Sequence, residues 1–406
     1  MQLSTSLLFI VSAGIIFIGF FGEVFFKRTG VSESLFLIFI GILFGPIFKV
    51  FPYSLTYAII PYISQLTLAM IMFELGVLLN AKSMVSQGVR ATVRTVIYVF
   101  VSLLMIYVIF HYVLGWNSYS SAFLASIVGG ETTTTIVPYV AKHIGDERLF
   151  ANITIESVLN SIFLIIVFYF VLDAFISSTP LTFVGIEKMA TSIVSQISVG
   201  FLIGIIAGII WVEFMKAFGK INYLYIATIG YVLLIYALVD KLGGSAILSV
   251  LMLGIILSNS KQIFEGIGLK QEVENSNLMY IRQFQGEISF FLRTFFFFFL
   301  GLVISIEILN YIFLYLFVLL VILVLMGVRY FATNVTVGKE MTKYKRAIFI
   351  MMAQGLTPAV LSTIALYYNV PDAQLIVTIA AFVIIITNII TVIGARGLGS
   401  NEGQQQ

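Results

Sequence analysis

The chain has 406 residues, of which 60% are hydrophobic and only 10% charged, and its mean hydropathy is +1.08. A soluble chain carries roughly 25% charged residues, so this composition excludes a soluble globular protein and implies a polytopic membrane protein. With no cysteine and only two histidines, His111 and His143, disulfides and thiolate metal sites are excluded and little remains for zinc or haem. The net charge of +3 is small. There is no nucleophile–base set, phosphate loop or basic patch, so neither an enzyme, a bound cofactor nor a nucleic-acid partner is expected.

Apolar runs long enough to span a bilayer occur at about 5–26, 32–49, 57–80, 90–114, 118–142, 147–176, 188–215, 221–240, 243–260, 288–306, 309–336, 343–367 and 371–395. These thirteen runs predict an all-α protein. Residues 1–5 lack a basic region and the first run is long enough to span, so no cleavable signal is expected. The longest stretch between spans, Lys261–Glu287, is polar and mixed in charge, and reads as a surface helix or loop. Residues 1–396 are therefore expected to form one transmembrane domain, followed by a short, polar, disordered cytoplasmic tail at 397–406.

Orientation follows from the distribution of basic residues. With the N-terminus outside, eighteen of the 22 Lys and Arg residues fall in cytoplasmic segments, and only Lys49, Lys188 and Lys241 fall outside. The remaining one, Arg329, lies inside the eleventh run. The expectation is a multi-pass protein of the plasma membrane with a cytoplasmic C-terminus.

Two runs are poor membrane helices. The fifth contains Gly129-Gly130-Glu131-Thr132-Thr133-Thr134-Thr135-Ile136-Val137-Pro138. Backbone leaves a helix at membrane depth only where protein or a watery cavity surrounds it. The twelfth contains Ala353-Gln354-Gly355-Leu356-Thr357-Pro358. The two lie seven runs apart and so cross in opposite directions. That offset divides the chain into runs one to six and eight to thirteen as inverted repeats. Paired interruptions in corresponding halves point to the binding site of a secondary transporter; the plainer reading is two proline kinks in packed helices.

The intramembrane charges sort by depth at about 1.5 Å per residue. Glu131, Asn160 and Ser161 lie near mid-span; Glu74, Glu156 and Arg329 lie toward the cytoplasmic ends. Each charge costs about 2.5–3.5 kcal/mol to insert. Glu156 and Arg329 share a layer and have opposite sign, so they read as a structural ion pair. Glu131 and Glu74 have no evident cationic neighbour in the sequence. A carboxylate in low dielectric can hold either a proton or a monovalent cation, and Thr132, Ser157, Asn160 and Ser161 offer neutral oxygens of the kind hard cations prefer. The plainer readings are a hydrogen-bonded structural acid for Glu131 and a carboxylate reaching the cytoplasmic surface for Glu74. Phe295–Phe299 reads as lipid-facing or interhelical packing.

Over nearly its whole length the chain resembles the monovalent cation:proton antiporters of the sodium/hydrogen exchanger family, in their archaeal and bacterial form. The resemblance rests on Phe73-Glu74-Leu75-Gly76, on Gly129–Pro138, on Glu156-Ser157-Val158-Leu159-Asn160-Ser161 and on Gln354-Gly355-Leu356-Thr357-Pro358-Ala359-Val360-Leu361. Arg293-Thr294-Phe295, Gly301 and Arg329-Tyr330 add to it. It implies exchange of Na+ or K+ for protons across the bilayer by a homodimer, with crossed broken helices in a moving core. It implies a Glu156–Arg329 ion pair, and places Glu74, Thr132, Ser157 and Ser161 around the cation.

The chain departs from that family at one decisive position. An Asn-Asp pair is usual in the sixth span and its aspartate is the ion carrier; here the pair is Asn160-Ser161. Glu131 also stands where threonine is common, and Gln354 where arginine is frequent. The expectation is relocation, with Glu131 supplying the missing carboxylate. The alternatives are a sodium-coupled symporter of an organic anion, or a family member that does not transport.

Overall fold

A computed structural model describes residues 5–29, 32–51, 53–79, 81–133, 147–218, 223–266 and 275–402. The described residues are helical almost throughout. Eight helices are long and apolar enough to cross a membrane, and five shorter apolar helices accompany them: Ser12–Phe26, Glu33–Ile47, Ser118–Val128, Ala246–Ser258 and Leu356–Tyr367. The chain divides into two compact units. The first comprises Met1–Ser64, Gln87–Ser178 and Arg293–Gln406, the second Gln65–Ser86 and Thr179–Leu292.

The first unit begins with α1 (Thr5–Thr29) and α2 (Glu33–Ile42), and takes the start of α3 (Tyr53–Leu78) and most of α4 (Ala81–Val108). It continues with α5 (Ser118–Val128) and α6 (Glu147–Ile176). Ser32 caps α2 through its hydroxyl, and Asn117 caps α5, the side-chain acceptors that helix N-termini favour. A π-turn at Leu43–Ile47 absorbs Pro46 at the end of α2.

The second unit holds α7 (Phe183–Phe218), α8 (Leu224–Lys241), α9 (Ala246–Ser258), α10 (Ser260–Gly266) and the start of α11 (Asn275–Val303). Gly200, Gly204 and Gly208 recur every fourth residue on α7. A β-carbon at Gly204 would lie 2.8 Å from Met252 Cβ, and one at Gly208 2.7 Å from Ile256 Cβ. Small residues at this spacing let helix backbones approach closely where no hydrophobic force distinguishes helix from lipid. Trp211 stacks on Phe214 and Tyr231 at 4.7 and 4.3 Å and donates its indole N–H to Thr228 at 3.0 Å. Gln285 donates to the Met70 carbonyl at 2.9 Å, and Asn259 to that of Leu79 at 2.8 Å.

From Arg293 onward the chain returns to the first unit. There follow α12 (Ile306–Leu309), α13 (Ile312–Thr336), α14 (Lys345–Ile350), α15 (Leu356–Tyr367) and α16 (Ala373–Glu402). Gly41 and Gly301 seat α2 on α11, with a β-carbon at either 2.8 Å from the other's Cα. Phe296, Phe297 and Phe298 are buried, so this part of the aromatic run is interhelical packing. Exposed Phe17, Phe20 and Phe21 on α1, and Leu316, Leu319 and Leu323 on α13, form apolar faces of the kind a bilayer covers.

Two expectations need correction. The tenth span starts at Met279 rather than 288, on a helix that begins at Asn275, so the end of the polar stretch Lys261–Glu287 is the first turns of a long helix. Its start carries Arg282, Gln283 and Glu287 exposed and Gln285 buried against the Met70 carbonyl, so averaged hydropathy does not register these turns as helix. The tail is helical through Glu402, because α16 continues past residue 396 and no proline stops it.

Candidate ion-binding site

Both expected interruptions are present. Helix α5 stops at Val128, and Gly129 to Thr133 continue outside any helix. Gly130 has a φ of +105°, backbone that glycine adopts without strain, and a β-carbon there would come within 3.1 Å of the Tyr98 carbonyl. Thr134 to Pro138 lie outside the described residues. In the twelfth span α14 ends at Ile350, and Met351 to Gly355 separate it from α15. Pro358 sits in the first turn of α15, where a missing N–H is tolerated.

The two interruptions touch. The Thr133 backbone N–H donates to the Ala353 carbonyl at 2.7 Å, and a β-carbon on Gly355 would lie 2.5 Å from Thr133 Oγ1. Each interruption also caps the helix end of the other. Glu131 Oε2 accepts from the Gly355 N–H at 2.6 Å, and the backbone N–H of Thr357 faces the same carboxylate. A carboxylate at a helix N-terminus meets unsatisfied N–H groups and the positive end of the helix dipole. In return, Gln354 donates its side-chain amide to the Val128 carbonyl at 2.7 Å, at the C-terminal end of α5. Glu131 is 3% exposed and Gln354 is fully buried.

Helix α6 supplies the facing wall. Asn152, Glu156 and Asn160 recur every fourth residue, so they lie on one face. Asn160 donates to Thr132 Oγ1 at 2.8 Å, and Ser157 donates to the Thr132 carbonyl. Ser161 reaches Glu131 Oε1 at 3.4 Å and accepts from Thr357 Oγ1 at 3.2 Å. Thr132, Ser157, Asn160 and Ser161 are all buried. Glu131, those four residues and Gln354 therefore converge within the first unit. Glu74 lies on the part of α3 that belongs to the second unit and is half-buried there.

Below this layer Glu156 is fully buried between two guanidinium groups. Arg329 pairs with Glu156 Oε1 and also donates to the Ile348 carbonyl at 2.8 and 3.1 Å. Arg94 donates to Glu156 Oε2 at 2.8 Å and also bonds Asn152. The Tyr98 ring covers the Arg329 guanidinium at 4.9 Å.

The loop count of basic residues puts Arg94 among the cytoplasmic charges; it is in fact 2% exposed inside α4. Glu33 is a second buried charge that the sequence reading misses. It is 1% exposed at the start of α2, with Arg293 3.9 Å away. Among the described residues no cluster of three or more His, Cys, Asp or Glu side chains is grouped to hold a metal ion.

Many apolar helices, two of them interrupted at mid-span and meeting at a buried acid, define a secondary transporter. Residues 13–398 match the transmembrane sodium/hydrogen exchanger family, and the chain belongs to that family. Its fold is similar to that of the sodium proton antiporter MjNhaP1 from Methanocaldococcus jannaschii. The structure of that antiporter at pH 8 matches with a TM-score of 0.79 and 17% identity, covering 96% of this chain and 98% of the other. Its electron-microscopy structure matches with a TM-score of 0.74 and 18% identity, covering 98% and 97%. No curated protein matches the chain in sequence. Family membership makes the chain a cation:proton exchanger of the membrane, and favours that activity over anion symport or loss of transport.

Proposed function

We propose that the chain exchanges Na+ or K+ for protons at one site in the first unit, and that Glu131 is the group the two ions share. The observation that carries this reading is the junction of both interruptions at one buried carboxylate, with Ser161 opposite it. When protonated, Glu131 is neutral and needs no cation. When ionised, it attracts a cation that neutral oxygens of Thr132, Ser157, Asn160 and Ser161 can help to dehydrate. Occupancy by one ion excludes the other, which is what coupling requires.

Glu131→Gln tests this. The substitution keeps an acceptor for the Gly355 N–H but cannot take up and release a proton. In proteoliposomes holding a pH dye, cation-driven proton flux should vanish while the purified protein melts as before; retained flux removes the assignment. Glu74 is assigned a supporting role by the family resemblance, so Glu74→Gln should lower apparent cation affinity and leave exchange measurable.

The finer topology also belongs to this reading: a single transmembrane exchanger domain over residues 1–396 with tail 397–406, a plasma-membrane location, an outside N-terminus and a cytoplasmic C-terminus. It is supported by the eighteen-to-three bias of basic residues. Because the chain has no cysteine, Lys49→Cys and Lys343→Cys can be labelled singly in intact cells. An impermeant maleimide should reach the first and not the second. A homodimer is proposed on the family resemblance, and native mass spectrometry of the detergent-solubilised protein checks it.

A further inference from the structure

Gln354 has four polar groups, and three are engaged. Its backbone N–H donates to Thr387 Oγ1 at 3.1 Å, its backbone carbonyl accepts from Asn388 at 2.7 Å, and its side-chain NH2 donates to the Val128 carbonyl at 2.7 Å. A carbonyl must face the NH2, so the amide cannot be turned over. Its Oε1 is left buried with no hydrogen-bond partner among the described residues. Asn160 Nδ2 bonds the Thr132 hydroxyl, an oxygen that can also donate, and Asn160 Oδ1 is buried and unpartnered among the described residues. Buried acceptors left unpaired carry a desolvation cost that a bound cation removes.

Each amide is next in sequence to a group that bonds the carboxylate. Gln354 precedes the Gly355 N–H that binds Glu131, and Asn160 precedes the Ser161 hydroxyl that reaches it. The charge of Glu131 is itself shared among Gly355, Ser161 and Thr357. One hydrogen-bonded carboxylate with amide and hydroxyl oxygens makes a weak ligand field. Such a field can replace the loosely held hydration of a large alkali ion better than the tight hydration of a small one.

Resting on the assignment of Glu131, we propose that Gln354 Oε1 and Asn160 Oδ1 are neutral cation ligands, and that the site selects K+ over Na+ and Li+. Gln354 is then the specificity-determining residue.

The test is cation-driven proton flux in proteoliposomes, titrated separately with LiCl, NaCl and KCl. Half-saturation should fall at a K+ concentration about tenfold below that for Li+, with Na+ between. Gln354→Glu strengthens the field and should move the order toward Na+ and Li+. Gln354→Met keeps the length without the oxygen and should weaken K+ most, compressing the K+/Li+ ratio. A Gln354 that only supports the fold would alter all three ions together and leave their ratio unchanged. That result, or a wild-type preference for Li+ or Na+, overturns the inference. Should Gln354→Glu fail to fold, the wild-type order and Gln354→Met decide. Glu131→Gln separates the two failures: retained flux in it removes the site itself, whereas lost flux without K+ preference in wild type removes only the selectivity.

Discussion

Two buried carboxylates meet helix α6 only five residues apart, Glu156 on the helix and Glu131 against Ser161, which is about 7.5 Å along the axis. Their surroundings are opposite. Glu156 is held by two guanidinium groups, which in turn hold Asn152 and the Ile348 carbonyl. Glu131 is held by backbone N–H and hydroxyl donors, with Gly355 on one oxygen and Ser161 on the other. A carboxylate between fixed cations stays charged and immobile; one among neutral donors can change its occupant. One layer fastens helices together, and the other is the layer proposed to exchange ions.

That contrast can be broken most forcefully at Glu156. Glu156→Gln strands two buried guanidinium groups, a cost of about 3–5 kcal/mol, and should abolish a monodisperse peak in detergent size-exclusion chromatography. Glu131→Gln should leave that peak intact while eliminating flux, so the pair of variants separates fastening from exchange. The two arginines sharpen the picture. Arg329→Met loses both the ion pair and the Ile348 carbonyl and should lower the melting temperature more than Arg94→Gln, which leaves Glu156 one cation. Equal effects would mean that the backbone bonds of Arg329 contribute nothing. A smaller effect is expected at Gly130. An alanine there meets a positive φ and should cost about 1–2 kcal/mol, read as a lowered melting temperature with alkali-ion selectivity retained. Ser161→Asp sets a second acid beside Glu131; it should change the pH profile of exchange, and an unaltered profile would count against their proximity.

Much of this arrangement is legible in the order of the residues. The interruption at Gly129 and Gly130 can be read because glycine, threonine and a carboxylate are misplaced on a lipid-facing helix. The facing wall on α6 can be read because Glu156 and Asn160 are one turn apart. Arg94 cannot be read this way, since its role depends on α4 passing beside α6, and a linear count of basic residues puts it in a loop. Glu33 escapes for the same reason: its neighbour Arg293 is distant in sequence.

By itself the sequence determined where helices form and where they cannot continue, because hydropathy, glycine and proline act locally on the backbone. Tertiary structure decided which helix end each polar group serves. Glu131 caps α15 and Gln354 caps the end of α5 because the two interruptions touch. A buried charge or amide is defined by the partner it finds, and partners more than 200 residues away are chosen by packing rather than by spacing.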